Sequence, residues 1–423
     1  MLFARNGRSD SLVLDGRVVA PAQGIDEALR VTITDGIVSA LEPGSESRLV
    51  IAPAFVDPHV HLRTPGREDE ETIRSGTEAA ARGGYCAILA MPNTEPVVDS
   101  ASVLGALVEQ AREEAVVPTG FMAAISKGQL GEELTEMAEL ANEGAAAFTD
   151  DGRPVVSAGL MRRALQYSSL TGRPLALHCE EPSLSRGGHA HDGAVAAELG
   201  LGPYPSTAES VMVERDLSLA AAEGRPLHLM HLSARESVAA LDHALAGGAQ
   251  ATGEVTPHHL VLTDDAVRSL DPNVKMNPPL RAERDREALR DALRRGAISC
   301  IATDHAPHAR HEKEVPFEEA PFGVTGLETA FAALHTHLVL PGVITLETLL
   351  DRMSAGPARA LGLDEPHIEV GARANLVVLD LDAEWTVEED GFRSRSANSW
   401  LLGERLRGRV EKTIADGRLV FEA

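Results

Sequence analysis

FVDPHVH (55–61), running on into LRTPG (62–66), is the stretch from which the fold is read. It begins as a short apolar run and ends in two histidines spaced by one residue. In an extended strand, period two puts His59 and His61 on one face, about 7 Å apart at Cα. That is close enough for both imidazoles to chelate one ion. Two satisfied or half-exposed histidines would leave the same trace, so this stretch alone leaves both readings open.

Working outward, seven further apolar runs have the same build. They are CAILAMPN (86–93), PTGFMAAI (118–125), AAAFTDD (145–151), PLALHCE (174–180), PLHLMHLS (226–233), ATGEVTPHHL (251–260) and ISCIATDHAP (298–307). Amphipathic stretches such as VLGALVEQAREEA (103–115) and DREALRDALRRG (285–296) lie between most of them. Strands alternating with helices predict parallel βαβ units. Eight units over residues 53–366 predict an α/β fold, a (β/α)8 TIM-type barrel. A doubly wound open sheet is the alternative, but it gathers its ligand loops at one crevice rather than at many strand ends.

The two ends of the chain differ from the middle. SLVLDGRVV (11–19), LRVTITDGIVSAL (29–41) and LVIAP (49–53) are β-like runs punctuated by Gly and Asp, as are ARANLVVLDLDAEW (372–385) and GRVEKTIADGRLVFEA (408–423). Neither end has apolar residues enough for a core of its own. The expectation is a small composite β-sandwich module made of 1–52 plus 367–423, beside the barrel.

Composition narrows function. Of 423 residues, 43% are apolar and 24% charged, an ordinary globular balance. Acidic residues outnumber basic ones 64 to 39, a net charge of −25 that repels phosphate backbones and anionic lipid. Nucleic-acid and membrane partners are therefore not expected, while an anionic small molecule would need only a local positive site. Three scattered cysteines make a poor disulfide framework and suit a reducing cytoplasm. The first residues lack the apolar run of a signal peptide, and no stretch is long and apolar enough for a membrane span.

The polar residues at the strand ends form a pattern. His59, His61, Asp151, His178, His231 and Asp304 would all come to the C-terminal face of the barrel, where such folds carry their chemistry. Of Asp150 and Asp151, alternation lets only one point inward; DDG is also a common turn. Asp304 follows an apolar run, and a buried carboxylate without a partner is costly. His228 lies three before His231 and reads as structural. Four imidazoles and two carboxylates can hold two divalent ions if one carboxylate bridges, and a thiolate-free set suits zinc. Such a pair activates water and polarises a carbonyl, and Asp304 is placed to move the proton. Arg63, Asn93, Asn277 and His308 surround the same mouth and suit a carboxylate ligand. Turn roles for the two asparagines and a surface role for Arg63 are the plain alternatives. APFGVTGLET (320–329) offers close backbone approach at Gly323, and HARHEKEVPFEE (308–319) reads as a mobile loop over the mouth.

DPHVHLRTPG, MPNTEP, FTDDG, HCEE, HLS, EVTPHHL, KMNPPLR, ATDHAPH and APFGVTGLET, in this order from 57 to 329, resemble the class I dihydroorotases of the amidohydrolase superfamily. The resemblance implies reversible cyclisation of N-carbamoyl-L-aspartate to L-dihydroorotate, a step of pyrimidine synthesis, with a bridging hydroxide as nucleophile. It implies one or two zinc ions, His59 and His61 holding one with Asp304, His178 and His231 the second, and Asp151 bridging. Asp304 would be the general acid/base. Arg63, Asn93 and His308 would grip the substrate carboxylate, Asn277 would assist, and Phe322 and Gly323 would offer backbone contacts. Related hydantoinases bridge their metals with a carboxylated lysine, but none of Lys127, Lys275, Lys313 and Lys412 falls at the fourth strand end. A homodimer, with aspartate transcarbamoylase as a candidate partner, is the expected assembly. Another cyclic-amide hydrolase and a non-catalytic scaffold for that transcarbamoylase are the competing readings.

Overall fold

The computed structural model describes residues 1–45 and 47–423. Eight parallel staves close a ring in its middle. Phe55–Val60, Tyr85–Ala90 and Thr119–Phe121 pair side by side. Phe148 forms the fourth stave, bridged to Ala123 and to Leu175. Leu175–Leu177, Leu227–Leu229, Ala251–Val255 and Cys300–Ile301 follow in order. A parallel bridge from His305 to Val60 closes the ring. Both faces of such staves are covered, which is why they read as near-continuous apolar runs: every residue of Phe55–Val60 is buried.

Helices between the staves supply the outer layer. Ile73–Arg82 starts with a capping box, in which the Thr72 hydroxyl accepts from Ser75 N at 3.0 Å. It buries Ile73, Gly76, Thr77 and Ala80, the one-face spacing of an amphipathic helix. Glu283–Arg295 likewise buries Leu289, Ala292 and Leu293 and ends in two arginines.

The ordered staves are shorter than the apolar runs suggest. The seventh departs most: Ala251–Val255 is strand, but Pro257–Val261 is helix. Thr256 accepts from His259 N and proline occupies the first turn, a start signal that overrides the strand pattern.

Both ends of the chain build one seven-stranded sheet. Its order is Arg418–Glu422, Arg405–Ala415, Leu376–Thr386, Leu49–Pro53, Leu12–Ala20, Ile25–Thr34, Ile37–Pro43. Leu49–Pro53 is the joint, antiparallel to Leu376–Thr386 and parallel to Leu12–Ala20. Alternation sorts its side chains. Val18, Ile51, Leu376, Val378 and Ile414 enter an apolar cluster of the sheet's own, while Val19, Val50, Ala52, Val377 and Leu379 join the barrel's core.

Candidate metal centre and substrate pocket

The six metal-type residues converge at or just beyond the C-terminal ends of five staves, and all are buried. Asp151 Oδ1 lies 3.7 Å from His59 Nε2, from His178 Nδ1 and from His231 Nε2. Its Oδ2 is 3.5 Å from His61 Nε2. Asp304 Oδ1 lies 3.1 Å from His61 Nε2 and 3.4 Å from His59 Nε2. Two groups with ion-holding geometry result, His59–His61–Asp151 and Asp151–His178–His231, with Asp151 common to both. Asp150 turns the other way and accepts from Ile125 N and Ser126 N.

Residues behind the cluster set its imidazoles. Glu254 accepts from His59 Nδ1 at 2.8 Å, Asn93 Oδ1 from His61 Nδ1 at 2.9 Å, and Glu180 from His178 Nε2 at 2.9 Å. Each bond fixes a tautomer and leaves the opposite nitrogen's lone pair facing Asp151, the arrangement that metal-ligating histidines use. His59 Nε2 is buried without a hydrogen-bond partner among the described residues. A buried, unpaired lone pair beside two carboxylates fits a cation at that point, so the donor set fits a divalent-metal centre. His228 is satisfied by Thr252 and Glu254 and takes no part.

Electrostatics agree. Burial opposes the charged form of Asp304, but positive charge at His59, His61 and His231 outweighs it and holds the carboxyl well below its usual range; protons on the rings supply that charge without a metal, and a bound cation would supply it in their place. Asp151 is likewise kept ionised against burial, chiefly by His59. Burial is again outweighed at Glu254 by His228 and His59, and at Glu180 by His178; both fall to about 2.

The backbone is strained here. Arg63, His231 and Asp304 have φ of 57°, 30° and 48°, a left-handed region costly for residues with side chains.

The pocket residues assemble at the same face. Arg63 Nε donates to Pro307 O at 3.1 Å, and its Nη2 lies 3.4 Å from His308 Nε2. His308 Nε2 is also 2.8 Å from Phe322 O. Gly323 has φ 121°, and a Cβ there would stand 2.6 Å from Ala306 Cβ and 3.2 Å from His308 Nε2, so only glycine fits. Its N–H donates to Lys275 O. Asn277 Nδ2 donates to Glu180 at 3.0 Å, and its Oδ1 is buried without a hydrogen-bond partner among the described residues. Asn277, Phe322, Glu180, Tyr204 and Arg186 line an open cavity of about 640 Å³. Asn93 sits deeper than a substrate-only role requires: besides His61 it donates to Asp151 Oδ2 at 3.3 Å. A second cavity, about 550 Å³, lies at the seam of sheet and barrel near Trp385 and Phe392 and holds none of the metal-type residues.

Three carboxylates of this site escaped the sequence reading: Glu180, Glu254 and Glu70, which binds Arg63 and His308. All lie within or beside the motifs quoted above. No local periodicity marks them, because their partners come from distant parts of the chain.

A closed parallel barrel with a shared-carboxylate His/Asp centre at its C-terminal face defines the amidohydrolase class. Residues 48–237 match the family described as Dihydro-orotase-like, and 249–421 match the Amidohydrolase family. The chain is 42% identical to a dihydroorotase of Caldanaerobacter subterraneus subsp. tengcongensis, over 97% of each chain. It is 44% identical to a dihydroorotase of Anaeromyxobacter sp. (strain K), over 98% of each. The L-hydantoinase of Arthrobacter aurescens superposes with a TM-score of 0.85 at 25% identity, over 96% of this chain and 95% of that one. The dihydropyrimidinase of Brevibacillus agri shares the fold, with a TM-score of 0.81 at 22% identity over 97% and 95%. The chain belongs to the dihydroorotase family of the amidohydrolases.

Proposed function

We propose that the chain is a zinc-dependent dihydroorotase that interconverts L-dihydroorotate and N-carbamoyl-L-aspartate. The observation that carries this is the sharing of Asp151 between two histidine pairs with Asp304 beside them. Divalent ions held by His59, His61, Asp151, His178, His231 and Asp304 would supply Lewis acidity, activating water and polarising the amide carbonyl. The thiolate-free donor set favours zinc. Asp304, held as a carboxylate, accepts the proton of the attacking water in ring opening and returns it to the departing amide nitrogen. Arg63 and His308 take the substrate carboxylate, Asn277 the ring, and Phe322 and Gly323 shape the wall. Asn93 acts mainly through His61.

The lysines favour this reading over a lysine-bridged hydantoinase. Lys275 and Lys313 are engaged by backbone carbonyls, Lys127 by Glu133 and Lys412 by Glu422. We assign 53–366 as the catalytic unit and 1–52 plus 367–423 as the composite module. Three free, buried cysteines support a cytoplasmic setting. No helix among the described residues is long and apolar enough to cross a membrane. A homodimer and docking to aspartate transcarbamoylase rest on the family resemblance; light scattering and co-elution with the transcarbamoylase test them.

The test of function is ultraviolet absorbance of L-dihydroorotate incubated with zinc-supplemented protein. Ring opening that a chelator blocks is expected. A stable signal, with transcarbamoylase present as well as absent, would overturn the proposal.

A further inference from the structure

We propose that Glu70 is a positioning residue that aims Arg63 and His308 at the substrate carboxylate. The inference rests on the assignment of those two residues as the anion anchor. Glu70 is fully buried, at 0% exposure, on the loop that follows Arg63. Its Oε2 lies 3.1 Å from Arg63 Nε. Its Oε1 lies 2.9 Å from His308 Nδ1 and 2.8 Å from Arg67 Nη2. One carboxylate thus collects three cationic or N–H groups from two ends of the barrel's closing seam.

The geometry tells what this does. Arg63 Nε–H donates to Pro307 O, and the Glu70 carboxylate lies 3.1 Å from the same nitrogen as its ion-pair partner, so the guanidinium keeps that edge away from a ligand. Its Nη2 end is thereby brought within 3.4 Å of His308 Nε2. Glu70 takes the Nδ1 side of His308, which directs Nε2 to the same place, beside Phe322 O and Gly323. The Arg63 donor fork and the His308 ring that meets its Nη2 end are thus braced from behind by one carboxylate. The loop is itself fixed: Glu70 N–H donates to Arg67 O at 3.0 Å, and Ser396 Oγ donates to Glu70 O at 2.7 Å. A buried carboxylate is expensive to keep. A loop needing only packing would be served by an apolar side chain, whereas one that must orient a fork of donors needs an acceptor there.

The test is steady-state kinetics on the zinc-loaded full chain, comparing Glu70→Ala, Glu70→Gln, Arg63→Met and the Glu70→Ala/Arg63→Met double variant. Glu70→Ala should raise KM for L-dihydroorotate about tenfold or more, with kcat within about threefold and zinc content unchanged. Glu70→Gln keeps an oxygen for Arg63 Nε and should recover part of the loss. In the Arg63→Met background Glu70→Ala should cost less than it does alone, because its effect passes through Arg63. If Arg63→Met leaves KM unchanged, the anion-anchor assignment fails first. If Arg63→Met raises KM but Glu70→Ala does not, the proposal fails alone. Loss of zinc, or a fall in kcat matching the rise in KM, would mark Glu70 as merely structural. Should Glu70→Ala not fold, Glu70→Gln decides: wild-type KM overturns the proposal, and a raised KM with intact kcat and zinc supports it.

Discussion

Three residues of the site, Arg63, His231 and Asp304, hold left-handed backbone. Strain of this kind persists only where the surroundings over-determine it. Here it aims side chains that a relaxed strand end would scatter. Asp304→Asn should lower turnover at least ~10²-fold, the lower range for a general acid/base. Stopped-time assays at matched zinc occupancy check this, and near-normal turnover would remove Asp304 from that role. Glu254 works at one remove, through His59 Nδ1. Glu254→Gln should weaken metal affinity ~10–100-fold, read by competition with a chromogenic chelator. The inward residues were legible in sequence because each ends an apolar run. Glu70, Glu180 and Glu254 were not, since a carboxylate behind a histidine leaves no spacing to detect until the partner strand is known.

At the level of elements, alternation of strand and helix was enough to expect the barrel, but stave lengths were not readable. The fourth stave pairs only over residues 146–149, and the seventh turns helical at Pro257 because Thr256 caps it. The segment after His308, expected to be mobile, carries hydrogen bonds from two lysines. Lys275 Nζ donates to the carbonyls of Phe317, Glu318 and Ala320 at 2.7, 2.9 and 2.7 Å. Lys313 Nζ donates to those of Pro272 and Pro321 at 3.0 and 2.8 Å. Burial lowers Lys275 to about 8, and burial with the charge of Lys275 lowers Lys313 to about 7. A lysine freed by opening or unfolding would return to its ordinary 10.5 and so bind more protons than the buried one between about 7 and that value. Closure must therefore strengthen as pH rises through this window and carry its full burial cost below it. Relative to Lys313→Met, the wild-type chain should gain thermal stability from pH 7 to pH 9. A Tm difference that is flat or falling over that range would refute this linkage.

At the scale of the whole molecule, the barrel and the terminal sheet share side chains. Val377 and Leu379 serve the barrel's core while Leu376 and Val378 serve the sheet's. The ends could be assigned to one module because both carry the same Gly- and Asp-punctuated β runs. That they join through Leu49–Pro53 was not legible, because strand order depends on pairing across nearly the whole chain. A fragment ending at residue 366 lacks three strands and bares one side of Leu49–Pro53. It should be recovered mainly insoluble, and a soluble fragment with a cooperative melt would show that the barrel stands alone. The joint also sets a timetable. On the ribosome, Leu49–Pro53 is made early, and its antiparallel neighbour Leu376–Thr386 emerges only after the entire barrel. Throughout that interval a nascent strand waits with one edge open, next to identical strands on neighbouring polysomal chains. Expression yield should therefore respond to translation speed and chaperone supply more than the folded chain's own stability would suggest.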